Sequence, residues 1–292
     1  PAPPHEPGVT ATAVAPGSPC PGRSHPALAP RRCTSLRRFG VMVSPFGQRP
    51  FDIRMEWGPR GARELVDEGI AVAVVVDVLS FTTSVTVAVE RGTAVLPLAW
   101  GAVDAAERAR DLDAVVAVGR RDGGPGRITL SPASILAEPP PPRLVLPSPN
   151  GSAICEQLAA VDVAVVAASL RNAPAVGRWL ARHGGPVGVL AAGERWAGDG
   201  SLRPAVEDVW GAGAVIDAMV AAKPSATLSP EAAAAREGYC AVRPDLPARL
   251  AACASGVELV EKGFAVDVAI AAGPETAPAV QVLSDGWFVA AG

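Results

Sequence analysis

A layered α/β/α fold with a largely parallel or mixed sheet, its site at the carboxyl ends of the strands, is what this 292-residue sequence predicts. Three observations carry that prediction. From Phe51 onward short apolar runs, many of them β-branched, alternate with helical stretches, which is the rhythm of βα units. The run 70–76 (I-A-V-A-V-V-V) holds no charge and has strand length, as a strand buried on both faces requires. It ends on a carboxylate, Asp77, and polar residues collect again after later runs of the same kind.

Taken in order, residues 1–48 are rich in Pro, Gly, Ala, Ser and Arg and lack apolar periodicity. They predict a disordered tail, or an extension ahead of a functional start near Met42. The α/β region follows over 49–292, as one body or two α/β halves. After the strand 70–76, the hydroxyls of Ser80, Thr82 and Thr83 precede an apolar helix that stops at Gly92. Strands are expected over 95–98, 114–118, 144–146, 161–167 and 187–192, and helices over 102–112, from Ser152, and over 174–182. Pro204 opens a long helix to about Ala222 with Glu207 and Asp208 in its second turn. Being adjacent, those two acids point about 100° apart, so only one is expected to face a buried site. Short helices over 229–272 and a strand pair over 280–289 complete the chain.

Composition narrows the functional classes. Hydrophobic residues make up 49%, yet no uncharged apolar run approaches the roughly 18 residues of a membrane span, so a soluble protein without a membrane partner is expected. A net charge of -3 gives no basic field for nucleic acid. The five cysteines (Cys20, Cys33, Cys155, Cys240, Cys253) are odd in number and lack C-x-x-C spacing, which suits a reducing, cytoplasmic compartment. His5 and His25 sit in the tail, and His183, before Gly184 and Gly185, reads as a helix-end residue. Oligomeric state is left open, a homo-oligomer included.

Four loops gather polar residues after apolar strands, 77–83, 120–131, 148–152 and 194–208, and in an open α/β sheet such loops form the ligand crevice. Helix N-termini leave N–H groups for an anion, and Asp77 offers a hard oxygen to a cation. Asn150-Gly151 suits close approach to a phosphate but is also an ordinary turn. Glu194 reads equally as a solvated loop acid. Arg120, Arg121, Arg127 and Arg203 are bidentate anion donors by chemistry, although loop arginines are usually just solvated. No P-loop, G-x-S-x-G, H-E-x-x-H or dinucleotide fingerprint occurs, and Leu79 stands where a haloacid-dehalogenase-like phosphatase has its second aspartate.

V-V-V-D-V-L-S-F-T-T at 74–83, P-S-P-N-G-S at 147–152, D-G-S-L-R-P-A-V-E-D-V-W-G-A-G-A-V-I at 199–216 and C-A-S-G-V-E-L-V-E-K-G-F-A-V-D-V at 253–268 together resemble the 2-phosphosulfolactate phosphatase family. That resemblance implies a Mg²⁺-dependent α/β phosphoric monoester hydrolase giving sulfolactate and phosphate, a step toward coenzyme M. By that likeness Asp77, Thr82, Thr83, Asn150, Gly151, Glu207 and Asp208 fall on motif positions; the roles expected are catalysis by Asp77, Glu207 and Asp208, one of the last two as second ligand or base, with Asp77, Asp208 and Glu194 at the metal. Thr82, Thr83, Asn150, Gly151 and Ser152 would cradle the phosphate, and Arg121 or Arg203 would hold the substrate's other acidic group. Covalent attack by Asp77 and direct attack by water are equally compatible with the sequence. The chain departs from the family pattern at Ser80, an arginine position, and in Gly119-Arg120-Arg121 and Leu130-Ser131-Pro132, where an acid and an amide are missing. These departures give the competing expectation of a non-catalytic domain binding a small phosphorylated or sulfonated anion.

Overall fold

The computed structural model of the protein describes residues 44–101, 104–273 and 277–291; most of the expected tail, with the first two residues of the expected helix 102–112, lies outside them. Residues 44–48, which composition assigns to the tail, are part of the fold. Pro45–Gly47 form a 3₁₀ turn, the Ser44 N–H donates to Glu68 at 2.8 Å, and the Gln48 side chain bonds both ways with the Met55 backbone.

The main sheet is built from β1 (Ile53–Trp57), β2 (Val72–Val76), β3 (Ala94–Ala99), β4 (Val115–Val116), β5 (Arg143–Ser148), β6 (Ala164–Ala168) and β7 (Val187–Ala191), together with β10 (Gln281–Ser284) and β11 (Trp287–Ala290). A separate two-stranded ribbon pairs β8 (Glu194–Arg195) with β9 (Leu202–Arg203). The main sheet runs β1-β7-β2-β6-β10-β11-β3-β5-β4. The first four of these strands are mutually parallel, as are the last three. The β10–β11 hairpin joins the two parallel groups by antiparallel pairing on both sides. Its turn is Asp285-Gly286, both at positive φ (51° and 84°), the Asp-Gly pairing that a two-residue hairpin favours.

Alternation along β2 explains its uncharged run. Val72, Val74 and Val76 pack into one core, and Ala73 and Val75 into another on the opposite face. The first core is roofed by α6 (Ala173–His183), α7 (Val206–Ala222) and α8 (Pro230–Val242). The second holds α2 (Phe81–Glu90) and α5 (Gly151–Leu158). Every residue of α2 from Phe81 to Val89 is buried, which is why this helix has no polar face. It rests on β6, β3 and β11, with α4 (Pro132–Ala137) over it.

Two expectations shift. The strand 114–118 shrinks to β4 at the sheet edge, because Val115 is exposed and Val118 turns away to bridge Thr129. The long helix starts at Val206 rather than Pro204, so Glu207 and Asp208 fall in its first turn, and both are buried.

Candidate active site

β2 and β5 are five strand spacings apart in the sheet, about 24 Å if it were flat. Yet the Gly151 N–H after β5 donates at 2.9 Å to Asp77 Oδ2 after β2, so the sheet must curl to bring the two strand ends together. Asp77 Oδ1 accepts from the Phe81 N–H at 3.1 Å. The carboxylate is thus held between the first turns of α2 and α5, where unpaired N–H groups and the helix dipoles favour negative charge. Glycine is required at 151, since a Cβ there would lie 2.5 Å from the Phe81 ring and 2.8 Å from Asp77 Oδ2. Burial nonetheless dominates, and pushes the Asp77 carboxyl up to about 6 despite those two N–H donors and Arg120; Glu207 raises it further.

Beside it, Asn150 Nδ2 donates at 2.8 Å to Glu194 Oε2. Burial, followed by the charge of Asp77, pushes the Glu194 carboxyl up to about 7, with the Asn150 bond opposing. Asp77, Asn150 and Glu194 share the wall of a cavity of about 460 Å³. The loop 119–130 supplies Arg120, Arg121, Asp122 and Leu130 to it, and Trp100 lies at its edge. The remaining wall is α10 (Ala254–Glu261) and the turn after it, through Ser255, Glu258, Leu259, Lys262 and Phe264. Three of the four polar loops meet here, and the fourth contributes Glu194.

Several expected site residues stand elsewhere. Thr82 Oγ1 donates to the Asp77 carbonyl at 2.7 Å and accepts from the Asp77 N–H, while Thr83 Oγ1 donates to the Val78 carbonyl at 2.8 Å. Their hydroxyls close the Asp77 turn instead of facing the cavity. Ser152 Oγ likewise braces β3 and β5 through the Leu98 and Ser148 carbonyls. Both Asp208 oxygens are taken by backbone N–H groups, Val78 at 2.7 Å and Gly193 at 2.8 Å. Burial raises its pKa well above the ordinary range, and Asp77 and Glu207 add to the rise. Asp208 therefore ties the ends of β2 and β7 together beneath the cavity rather than facing it. Glu207 is also buried and does not reach the cavity wall. Arg203 does not line the cavity but stands behind its wall, with its guanidinium over the Trp196 ring and Nη2 on Ser255 Oγ at 3.0 Å. Of the expected residues, Asp77, Asn150, Glu194 and Arg121 line the cavity.

The α10 wall was not assigned by residue chemistry alone. Its signal lay in the 253–268 segment, whose serine, lysine and phenylalanine have no pattern that separates them from a surface helix. Arg120 was one of four candidate loop arginines, and nothing in the sequence distinguishes it.

Two hard oxygen donors on one cavity wall, Asp77 and Glu194, suit a hard divalent cation, whose charge would offset the burial that raises both carboxyls. Among the described residues, no three His, Cys, Asp or Glu side chains form a ready-made cage. Mg²⁺ needs none, being held usually by one or two carboxylates with water and phosphate oxygens. No helix among the described residues is long and apolar enough to cross a membrane.

A family model for 2-phosphosulpholactate phosphatase matches residues 62–286. This chain belongs to that family, a family of phosphatases, and the match spans β2 through the β10–β11 turn. No curated protein matches the chain.

Proposed function

We propose that the protein is a Mg²⁺-dependent phosphatase that hydrolyses a small acidic phosphate monoester of the 2-phosphosulfolactate kind, releasing phosphate and a hydroxy acid such as sulfolactate. The observation that carries this reading is Asp77, fixed between two helix N-termini on the wall of a cavity it shares with Asn150 and Glu194.

Asp77 and Glu194 would hold the metal, which would supply positive charge to a bound phosphate ester. Asn150 orients Glu194 through its amide. The Glu194 oxygen left free by the metal would accept the proton of the water that attacks phosphorus. The new P–O bond forms from that water while the ester P–O bond breaks, and solvent protonates the departing alkoxide. Thr82, Thr83, Ser152 and Asp208 keep the turns in place rather than touching the ester, and Glu207 adds negative charge beneath the site.

A panel of phosphate monoesters, 2-phosphosulfolactate among them, assayed with Mg²⁺ and with EDTA, tests this. Phosphate release that needs Mg²⁺ and favours esters bearing a second acid is expected. Thermal stabilisation by those esters without any phosphate release would instead establish the non-catalytic, anion-binding reading.

A further inference from the structure

We propose that Arg120 is the specificity-determining residue that grips the substrate's second acidic group, and that the buried Asp267 is the positioning residue that aims it. The inference deepens the phosphatase reading and rests on it only for the identity of the ligand as a substrate.

The loop arginines differ in how they are held. Arg203 is not among the residues that line the cavity and spends Nη2 on Ser255 Oγ, and Arg127 is exposed with Nη1 on the Asp122 carbonyl. Arg121 lines the cavity but is exposed, where an ion pair is screened and the side chain must be ordered on binding. Arg120 lines the same cavity with its side chain only 19% accessible. Its guanidinium stacks over the Phe264 ring at 5.7 Å, Nη2 donates to Ser80 Oγ, and Nε approaches Asp267 Oδ2 at 3.4 Å. A planar fork fixed on two edges and one face loses little freedom when it binds an oxyanion.

The charge of Arg120 is not fully spent within the protein. Asp267, itself fully buried on α11 (Ala265–Ala271), divides its acceptance among three donors: Ser131 Oγ at 2.5 Å, the Ala133 N–H at 3.2 Å and Arg120. Among the described residues Nη1 of Arg120 makes no hydrogen bond, and no Arg120 nitrogen is a buried orphan, so its remaining N–H groups are wet from the cavity side. They offer the end of the fork to a carboxylate or sulfonate. Ser80, which receives the other edge, lies three residues past Asp77, so an anion on Arg120 sits beside the metal-facing carboxylates and not on them.

The test compares Arg120→Ala, Arg120→Lys, Asp267→Asn and Arg121→Ala with the wild type. Each is assayed on phosphoglycolate, which carries a second acid, and on p-nitrophenyl phosphate, which does not. Binding of phosphonoacetate is followed by calorimetry in parallel. Expected is a KM for phosphoglycolate raised about 10- to 100-fold in Arg120→Ala, less in Arg120→Lys and Asp267→Asn, and a clearly smaller loss on p-nitrophenyl phosphate, which reports only the effect of Arg120 on Asp77. Phosphonoacetate affinity should fall in the same order. If Arg120→Ala does not fold, the Lys and Asn variants decide. Equal losses on both esters, a larger effect from Arg121→Ala, or a wild type that does not bind phosphonoacetate would overturn the proposal. A wild type that hydrolyses neither ester but binds phosphonoacetate in an Arg120-dependent way would remove the phosphatase reading and keep Arg120.

Discussion

The two sides of the cavity are built by different physics. On one, Asp77 and, below it, Asp208 are held by backbone N–H groups: Phe81 and Gly151 for the first, Val78 and Gly193 for the second. On the other, Arg120 is held side chain to side chain by Ser80 and Asp267, and Glu258 pairs separately with Lys262. Backbone donors at strand ends and helix starts are fixed by the fold itself, so the first side is rigid and tolerates little change. Side-chain partners can be exchanged without moving the backbone, so the second side is where recognition can be altered while the chemistry stays.

The sharpest way to break this contrast is Asp77→Asn. It keeps shape, removes the charge and replaces one acceptor oxygen by an NH₂ group, so kcat should drop by about two to four orders of magnitude while the chain still folds with a modestly lowered melting temperature; ordinary turnover would show that the backbone-held side is not the reacting one. Gly151→Ala comes next. Its Cβ meets the Phe81 ring and Asp77, so overpacking should cost about 1–3 kcal/mol in denaturant unfolding and also reduce kcat. A wild-type midpoint and rate would mean that the Asp77 turn yields easily.

Titration sharpens the comparison further, because the raised carboxyls lie on the Asp77 side. Asp77 rises from 3.8 to about 6, and Glu194 from 4.5 to about 7. Their folded-state pKa values exceed the unfolded ones, so the native state binds more protons between those limits and stability falls as pH rises through the window. In EDTA, the melting temperature should therefore decline from about pH 4 to pH 7 as these two groups ionise. Glu194→Gln should shallow that slope, and should also flatten the rise in kcat with pH that is expected of the wild type in Mg²⁺. A wild-type rise retained in the variant would move the proton transfer to another group. The smallest effect is expected from Arg203→Ala, which loses an exposed stacking contact and the Ser255 bond and should change KM by less than about threefold.

Much of the fold was legible because period and punctuation survive in sequence: the uncharged β-branched run before Asp77, the closing strand pair and the proline at the start of α6. The site was half legible. Asp77 and Asn150-Gly151 announce themselves by standing at the ends of apolar runs. The threonines mislead, because a hydroxyl that caps a turn and one that binds phosphate have the same chemistry and spacing. Asp208 misleads in the same way, a buried acid satisfied by amides being indistinguishable in sequence from one that faces a metal.

The sequence by itself determined the alternation of strands and helices, the acid at the end of β2 and the family to which the chain belongs, since these are local patterns of side-chain polarity. Only the tertiary structure decided which polar groups meet. The curl of the sheet carries Gly151 across five strand spacings to Asp77, and α11 brings Asp267 to Arg120, contacts between residues 74 and 147 positions apart. Pairings at that range depend on how the whole sheet closes, which no short stretch of residues encodes.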